Sequence, residues 1–215
     1  MASQPSPWSE VLRQALEEHD WPVAEGALQR ALLVQPARST STAELLDLLA
    51  YVLLMQGRYA ACEATLVEAL AAGSRSFWTP HKLGDARRGL HRPQAATEAY
   101  EQALAWGSDS PLTVRNLLQV LVQVDPDAAL RRLQQFAQQQ QAGWQAGACA
   151  AAASGLAPEL AEWLCAVGVA DEPVRALVCM RRLRCLDLPG TLQLLSGLQT
   201  TWSAPLQQRL HHFAH

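Results

Sequence analysis

A chain of 215 residues, 49% of them hydrophobic and 17% charged, is long enough and apolar enough to bury a core, which excludes an intrinsically disordered protein. The formal net charge is only -3, and the absence of a long basic run excludes the electrostatic footprint of a nucleic-acid-binding protein. Alanine and leucine abound while β-branched residues are few, so we expect an all-α protein.

The chain start and the apolar segments predict neither a secretory signal nor a membrane span. The opening residues MASQPSPW contain no basic segment followed by an apolar one. The longest apolar stretch, residues 148–170, is interrupted by Pro158 and contains Glu159 and Glu162, which are costly in lipid. We therefore expect a cytoplasmic protein without membrane contact. Lys82 is the one lysine among many arginines, which favours a GC-rich and hence bacterial genome.

The cysteines predict free thiols in a reducing compartment. Five are present, which is an odd number, and no two have the spacing of a zinc-binding pair. Each lies in an apolar helical context, where a cysteine packs as a small hydrophobic residue. The cysteines are Cys62, Cys149, Cys165, Cys179 and Cys185.

Small and large residues recur along the chain with a period of about 34 residues. We define four repeats: repeat 1 (5–38), repeat 2 (43–76), repeat 3 (77–110) and repeat 4 (111–140). In repeat 1, Trp8, Ala24, Leu28, Ala31 and Pro36 occupy positions 4, 20, 24, 27 and 32. The extra segment 38–42 before repeat 2 predicts a long loop that ends at Thr42 as a helix N-cap.

Repeats 2 and 3 carry the pattern most clearly. Positions 7, 8, 20, 24 and 27 are Leu49, Ala50, Cys62, Leu66 and Ala69 in repeat 2, and Leu83, Gly84, Ala96, Tyr100 and Ala103 in repeat 3. Repeat 4 needs a shortened turn near residues 125–127 to bring Ala129 and Leu133 into register. It then places Phe136 where a small residue is usual.

This spacing resembles that of the tetratricopeptide repeat. The resemblance implies a right-handed α-solenoid of antiparallel helix pairs, with about 11–13 helices, in which small residues sit where helices approach closely. Residues 141–215 are expected to form divergent helical repeats or a C-terminal cap that continues the solenoid. There Trp144 and Trp163 are expected to belong to a fifth pair, a sixth pair is expected over 172–198, and a last helix near 205–213.

The resemblance also implies that the first helix of each repeat lines a concave groove. Carried onto this chain, the expected partner-binding residues are Tyr51, Trp78, His81, Lys82, Asp85, Arg88, Arg115, Asn116 and Gln119. Their mixture of aromatic, amide and charged groups suits a protein or peptide partner, and Trp78 and Arg88 are of the residue types that dominate binding energy. Asp85 would repel the C-terminal carboxylate that some proteins of the family hold, so no carboxylate clamp is predicted.

No catalytic motif accompanies the repeats. A glycine-rich phosphate loop and a nucleophile elbow are both missing from the sequence. His211, His212 and His215 lie at the terminus without an acidic partner, which favours an ordinary tail over a metal site. We therefore predict no enzymatic activity, no cofactor and no metal.

Two functions stay open at this point. The first is a non-catalytic adapter, scaffold or assembly factor that binds a segment of a partner protein in its concave groove. The second is an accessory subunit that docks on an enzyme, or associates with itself, through its apolar C-terminal part. In that case Trp163, Leu164, Trp202 and Phe213 would include exposed anchors. The sequence leaves the oligomeric state undecided.

Overall fold

A computed structural model describes residues 7–34, 40–155, 157–185, 187 and 189–190, with the side chains of Pro7, Trp8 and Thr40 left undescribed. In these residues the secondary structure is all α-helical, which confirms the predicted fold class. The eleven helices are α1 (Pro7–Glu17), α2 (Trp21–Leu33), α3 (Thr40–Met55), α4 (Tyr59–Ala71), α5 (Trp78–Gly89), α6 (Pro93–Ala105), α7 (Pro111–Val124), α8 (Pro126–Gln139), α9 (Trp144–Ala152), α10 (Pro158–Ala166) and α11 (Glu172–Arg184).

Most helices begin at a proline or an acidic cap that the sequence places there. Proline occupies the first or second position of α2, α6, α7, α8, α10 and α11, where a missing N–H costs no hydrogen bond. The carboxylates of Asp20, Asp125 and Asp171 accept hydrogen bonds from the first-turn N–H groups of α2, α8 and α11. These signals fix where those helices start.

The predicted N-cap at Thr42 is wrong. Helix α3 includes Thr40, so Thr42 lies within its first turn, with its side chain 7% exposed. Thr42 and the neighbouring Ala43 are both buried. The burial of these two side chains outweighs the preference of threonine for a cap.

The chain divides into two compact units, an N-terminal unit (Met1–Asp109) and a C-terminal unit (Ser110–His215). In the N-terminal unit α1, α3 and α5 pair with α2, α4 and α6 respectively, and each pair is joined by a connection of three residues. Connections this short make paired helices antiparallel. The residues at repeat position 15, His19, Gly57 and His91, all have a left-handed backbone, with φ of 59°, 71° and 57°.

The small residues at positions 8, 20 and 27 are buried as the repeat pattern predicts. Ala24, Ala31, Ala50, Cys62, Ala69, Ala96, Ala103 and Ala129 each have 0% of their surface exposed. At Gly84 a Cβ atom would lie 2.5 Å from Cε1 of Tyr100, so the tyrosine ring occupies the space that the glycine leaves. Position 84 therefore has no room for a side chain against the Tyr100 ring of α6.

In the C-terminal unit α7 packs against both α8 and α9, and α10 packs against α11. Gly147 of α9 packs so closely against α7 that an added Cβ would be 2.6 Å from the carbonyl oxygen of Pro111. Phe136, the large residue at a position where small ones are usual, is fully buried, and the Arg132 guanidinium lies 4.2 Å from its ring centroid. Trp144 on α9 and Trp163 on α10, the two tryptophans expected in a fifth pair, have ring centroids 6.4 Å apart.

Candidate functional site

A polar contact joins the first helices of repeats 2 and 3. The Lys82 ammonium on α5 donates to the Asp47 carboxylate on α3 and to the Asp47 carbonyl oxygen, the latter at 3.0 Å. The Thr79 hydroxyl donates to the other carboxylate oxygen of Asp47 at 2.7 Å and lies 2.7 Å from the Ser74 hydroxyl. Because Asp47 holds two groups of α5, it fixes the register between α3 and α5.

This contact lies within a surface that we call the α3/α5 face. It consists of Glu44, Asp47, Tyr51 and Met55 from α3, and Trp78, His81, Lys82, Asp85 and Arg88 from α5. Asp47, Tyr51 and Met55 follow one another at intervals of four residues, as do Trp78 and Lys82, so each set forms a stripe along its helix.

Two aromatic side chains on this face are exposed yet held in place by neighbouring rings. Trp78 is 39% exposed, and its ring centroid lies 5.0 Å from that of Phe77 and 5.1 Å from that of His81. Tyr51 is 37% exposed and meets Trp21 edge to face, with centroids 6.1 Å apart. Contacts with these two rings restrict the rotamers of the Trp78 indole, so little conformational entropy is lost when it contacts a ligand.

Asp85 forms the charged centre of a second network. Its carboxylate accepts a hydrogen bond from the Tyr100 hydroxyl at 2.7 Å and lies 3.3 Å from His81 Nε2 and 3.2 Å from an Arg88 nitrogen. Burial favours the protonated acid, but the hydrogen bonds and charges of His81, Tyr100 and Arg88 outweigh it and lower the pKa of Asp85. The carboxylate is therefore ionised at neutral pH.

The predicted partner-binding residues differ in their exposure. In the N-terminal unit Tyr51 and Trp78 are exposed, Lys82, Asp85 and Arg88 are half-buried, and His81 is buried. In the C-terminal unit Arg115 and Gln119 are half-buried, while Asn116 is only 2% exposed and accepts a hydrogen bond from Arg115 Nε at 3.0 Å. His81 and Asn116 thus support neighbouring side chains, and Tyr51, Trp78 and Arg88 have the surface for direct contact.

Asp47 was not among the partner-binding residues predicted from the sequence. Asp47 lies at position 5 of repeat 2 and Lys82 at position 6 of repeat 3. The ion pair therefore joins two residues separated in sequence by one repeat length plus one residue. A search for opposite charges at this offset along the repeats would have found the pair. The edge-to-face contact of Trp21 with Tyr51 carries no such signal, because Trp21 lies at the start of a second helix.

The predicted packing role holds for Cys62, Cys149 and Cys179, which are buried, and in part for the half-buried Cys165, whereas Cys185 at the end of α11 is exposed. Burial raises the pKa of the Cys62 thiol to about 12 and that of Cys165 to about 11. Among the described residues no group of three His, Cys, Asp or Glu side chains is arranged to hold a metal ion. His211, His212 and His215 lie outside the described residues.

The described helices also bear on the alternative C-terminal anchors. Leu164 is fully buried, so its expected role as an exposed anchor is wrong. The reason is that α10 packs against α8, α9 and α11, which removes this side chain from solvent. Trp163 is half-buried, and Trp202 and Phe213 lie outside the described residues. Within the ranges given above, no helix has both the length and the apolar character that crossing a bilayer requires.

Solved structures show which fold this arrangement of helix pairs represents. A crystal structure of a tetratricopeptide repeat protein from Parabacteroides merdae ATCC 43184 matches with a TM-score of 0.60, covering 96% of this chain and 87% of that chain at 12% identity. The fold is of the tetratricopeptide repeat type. The structure of Naa15/Naa10 bound to HypK-THB matches with a TM-score of 0.50 and 18% identity, covering 97% of this chain and 33% of that chain. No protein-family model and no curated protein sequence matches the chain.

Proposed function

We propose that this tetratricopeptide-type protein is a non-catalytic adapter or assembly factor of the bacterial cytoplasm that binds a segment of another protein. The observation that carries the proposal is the pair of exposed aromatic rings, Tyr51 and Trp78, on the first helices of consecutive repeats. A few residues carry most of the binding energy at protein interfaces, and tryptophan and tyrosine are enriched among them.

The surroundings of the two rings support binding of a polypeptide rather than a small metabolite. The α3/α5 face combines the rings with the half-buried charges of Lys82, Asp85 and Arg88, which offer donors and acceptors to a peptide backbone. One of the similar solved structures, that of Naa15/Naa10 bound to HypK-THB, is itself a complex of proteins. Arg115, Asn116 and Gln119 of repeat 4 belong to the C-terminal unit, and their part in binding stays a prediction from their repeat positions alone.

Affinity purification from the native organism, followed by mass spectrometry, provides the partner. The double variant Trp78→Ala with Arg88→Glu is expected to lose at least about 2 kcal/mol of binding energy, which is the scale of a central hot spot. Val67→Ala is the matched control, because Val67 is 51% exposed on the second helix α4. If both variants retain every partner, the α3/α5 face is not the binding site.

One observation favours the second function, docking through the C-terminal unit. A cleft between α10 and α11 is lined by Gly155, Pro158, Ala161, Leu177, Val178, Met180, Arg181 and Arg184. Met180 in this cleft is 49% exposed. Light scattering across a range of protein concentrations tests self-association there. A mass that rises with concentration and returns to that of the monomer in Met180→Glu would favour this function.

A further inference from the structure

The cations of the α3/α5 face are already paired with acids of the same face. Lys82 binds Asp47, and Arg88 lies 3.2 Å from Asp85. Glu44, by contrast, is exposed, and no described side chain forms an ion pair with it. The uncompensated charge on this face is therefore negative.

The N-terminal unit as a whole has the same sign. Residues 1–109 contain thirteen acidic and nine basic side chains. A ligand segment of positive charge is attracted by this excess as it approaches, whereas an acidic segment is repelled.

The two aromatic rings lie on opposite sides of the Asp47–Lys82 pair. Helices α3 and α5 are both antiparallel to α4, so they run in the same direction. Tyr51 is one turn beyond Asp47 along α3, and Trp78 is one turn before Lys82 along α5. The rings are thus separated by about two helical turns, roughly 11 Å, along the helix axes.

Glu44 lies at the Trp78 end of this arrangement. It precedes Asp47 by three residues on α3, as Trp78 precedes Lys82 by four on α5. A cation placed there would be attracted by the Glu44 carboxylate and by the face of the Trp78 indole, the ring type that binds cations best.

We infer that the occupant of the α3/α5 face is a basic segment of another protein, with two apolar side chains offset by about 11 Å along the helix axes and a lysine or arginine beside the one that contacts Trp78. The inference rests on the proposed function and specifies its partner. The apolar side chains contact Tyr51 and Trp78, and the basic group pairs with Glu44.

Selection of a random twelve-residue peptide library on the full chain tests this inference, with the Trp78→Ala variant as counter-selection. Enriched peptides are expected to be basic and to carry two spaced apolar residues. Their affinity, measured by fluorescence anisotropy, is expected to fall about tenfold or more in Glu44→Lys, a change of about 1.4 kcal/mol. Glu68→Lys is the matched control, since Glu68 is exposed on α4. Circular dichroism establishes that each variant is folded.

The outcomes separate the inference from the function beneath it. Peptides that are acidic but need Trp78 overturn the inference and leave the adapter function intact. Equal loss of affinity in Glu44→Lys and Glu68→Lys also overturns it, because the attraction is then not local to Glu44. If no peptide is enriched above the Trp78→Ala counter-selection, both the inference and the α3/α5 face as the binding site are wrong.

Discussion

At the scale of single residues, Gly84 is the position where packing leaves least room. An added Cβ would overlap the Tyr100 ring, and that ring is fully buried with its hydroxyl bonded to Asp85. Gly84→Ala is therefore expected to lower the free energy of unfolding by about 1–3 kcal/mol, as overpacking does. Gly26→Ala is the control, because nothing lies within 4 Å of its Cβ in helix α2. It is expected to stabilise by roughly 0.5–1 kcal/mol in urea unfolding.

Repeat 2 suggests how the overlap at Gly84 can be relieved. It has alanine at position 8 and the smaller leucine at position 24, namely Ala50 and Leu66, and both are fully buried. The double variant Gly84→Ala with Tyr100→Leu is expected to be more stable than the sum of the two single effects predicts, by about 0.5 kcal/mol or more. Strict additivity would show that the glycine and the ring do not compete for the same space.

The lowered pKa of Asp85 predicts how stability depends on pH. A carboxyl whose pKa is lower in the folded than in the unfolded chain contributes stability above its unfolded pKa, and the contribution is lost as the pH falls through the folded value. Asp85→Asn is therefore expected to cost roughly 1–3 kcal/mol at pH 7. The difference in the free energy of unfolding between Asp85→Asn and the parent is expected to become smaller below about pH 4. Chemical denaturation at both pH values measures it; a constant difference would mean that charge plays no part.

At the scale of helices, arginines before the second helices link one repeat to the next. Arg58, just before α4, binds Glu25 of α2 at 2.6 Å, and Arg92, just before α6, binds Glu63 of α4 at 3.0 Å. Both carboxylates are at position 21 and both arginines at position 16. Burial raises the pKa of Glu25, but the hydrogen bonds and charge of Arg58 and the hydrogen bond of Gln56 outweigh it and lower the pKa.

Removal of the Arg58–Glu25 ion pair is expected to lower the free energy of unfolding only slightly, by an amount that depends on salt concentration. Arg58→Ala is expected to lower the free energy of unfolding by about 0.2–1 kcal/mol, because the arginine is 50% exposed. The loss should shrink at 1 M salt, where the screening length is about 3 Å. Arg131→Ala, which removes a pair with 63% and 48% exposed side chains, should have a smaller effect. A loss that salt leaves unchanged would assign the effect to packing of the arginine stem instead.

A structural feature of a helix could be predicted from the sequence where the repeat spacing alone determines it. The small residues at Ala50, Gly84 and Ala96 could be predicted because each is set by the fixed separation of paired helices. The burial of His81 could not, since it depends on how the rings of Trp78 and Tyr100 pack around the imidazole, which repeat position does not specify. The start of α3 was missed at Thr42 because a local cap preference competes there with burial in the core.

At the scale of the whole molecule, the two compact units raise the question of how much each contributes to binding. The buried core cluster of the N-terminal unit contains residues from Leu12 to Ala99, so none of its members lies beyond Asp109. The α3/α5 face lies in the same unit, whereas Arg115, Asn116 and Gln119 do not. The repeat pattern placed all nine predicted residues in one groove, because sequence periodicity alone does not distinguish one unit from two.

A fragment of residues 1–109 tests where the binding energy resides. The fragment contains every member of this cluster and all of the α3/α5 face, so it is expected to unfold cooperatively and to bind the selected peptides within about tenfold of the full chain. The matched variant is Arg115→Ala with Gln119→Ala in the full chain, which is expected to change the affinity by less than the same factor. A folded fragment that binds about a hundredfold more weakly, together with a similar loss in the double variant, would extend the site into repeat 4.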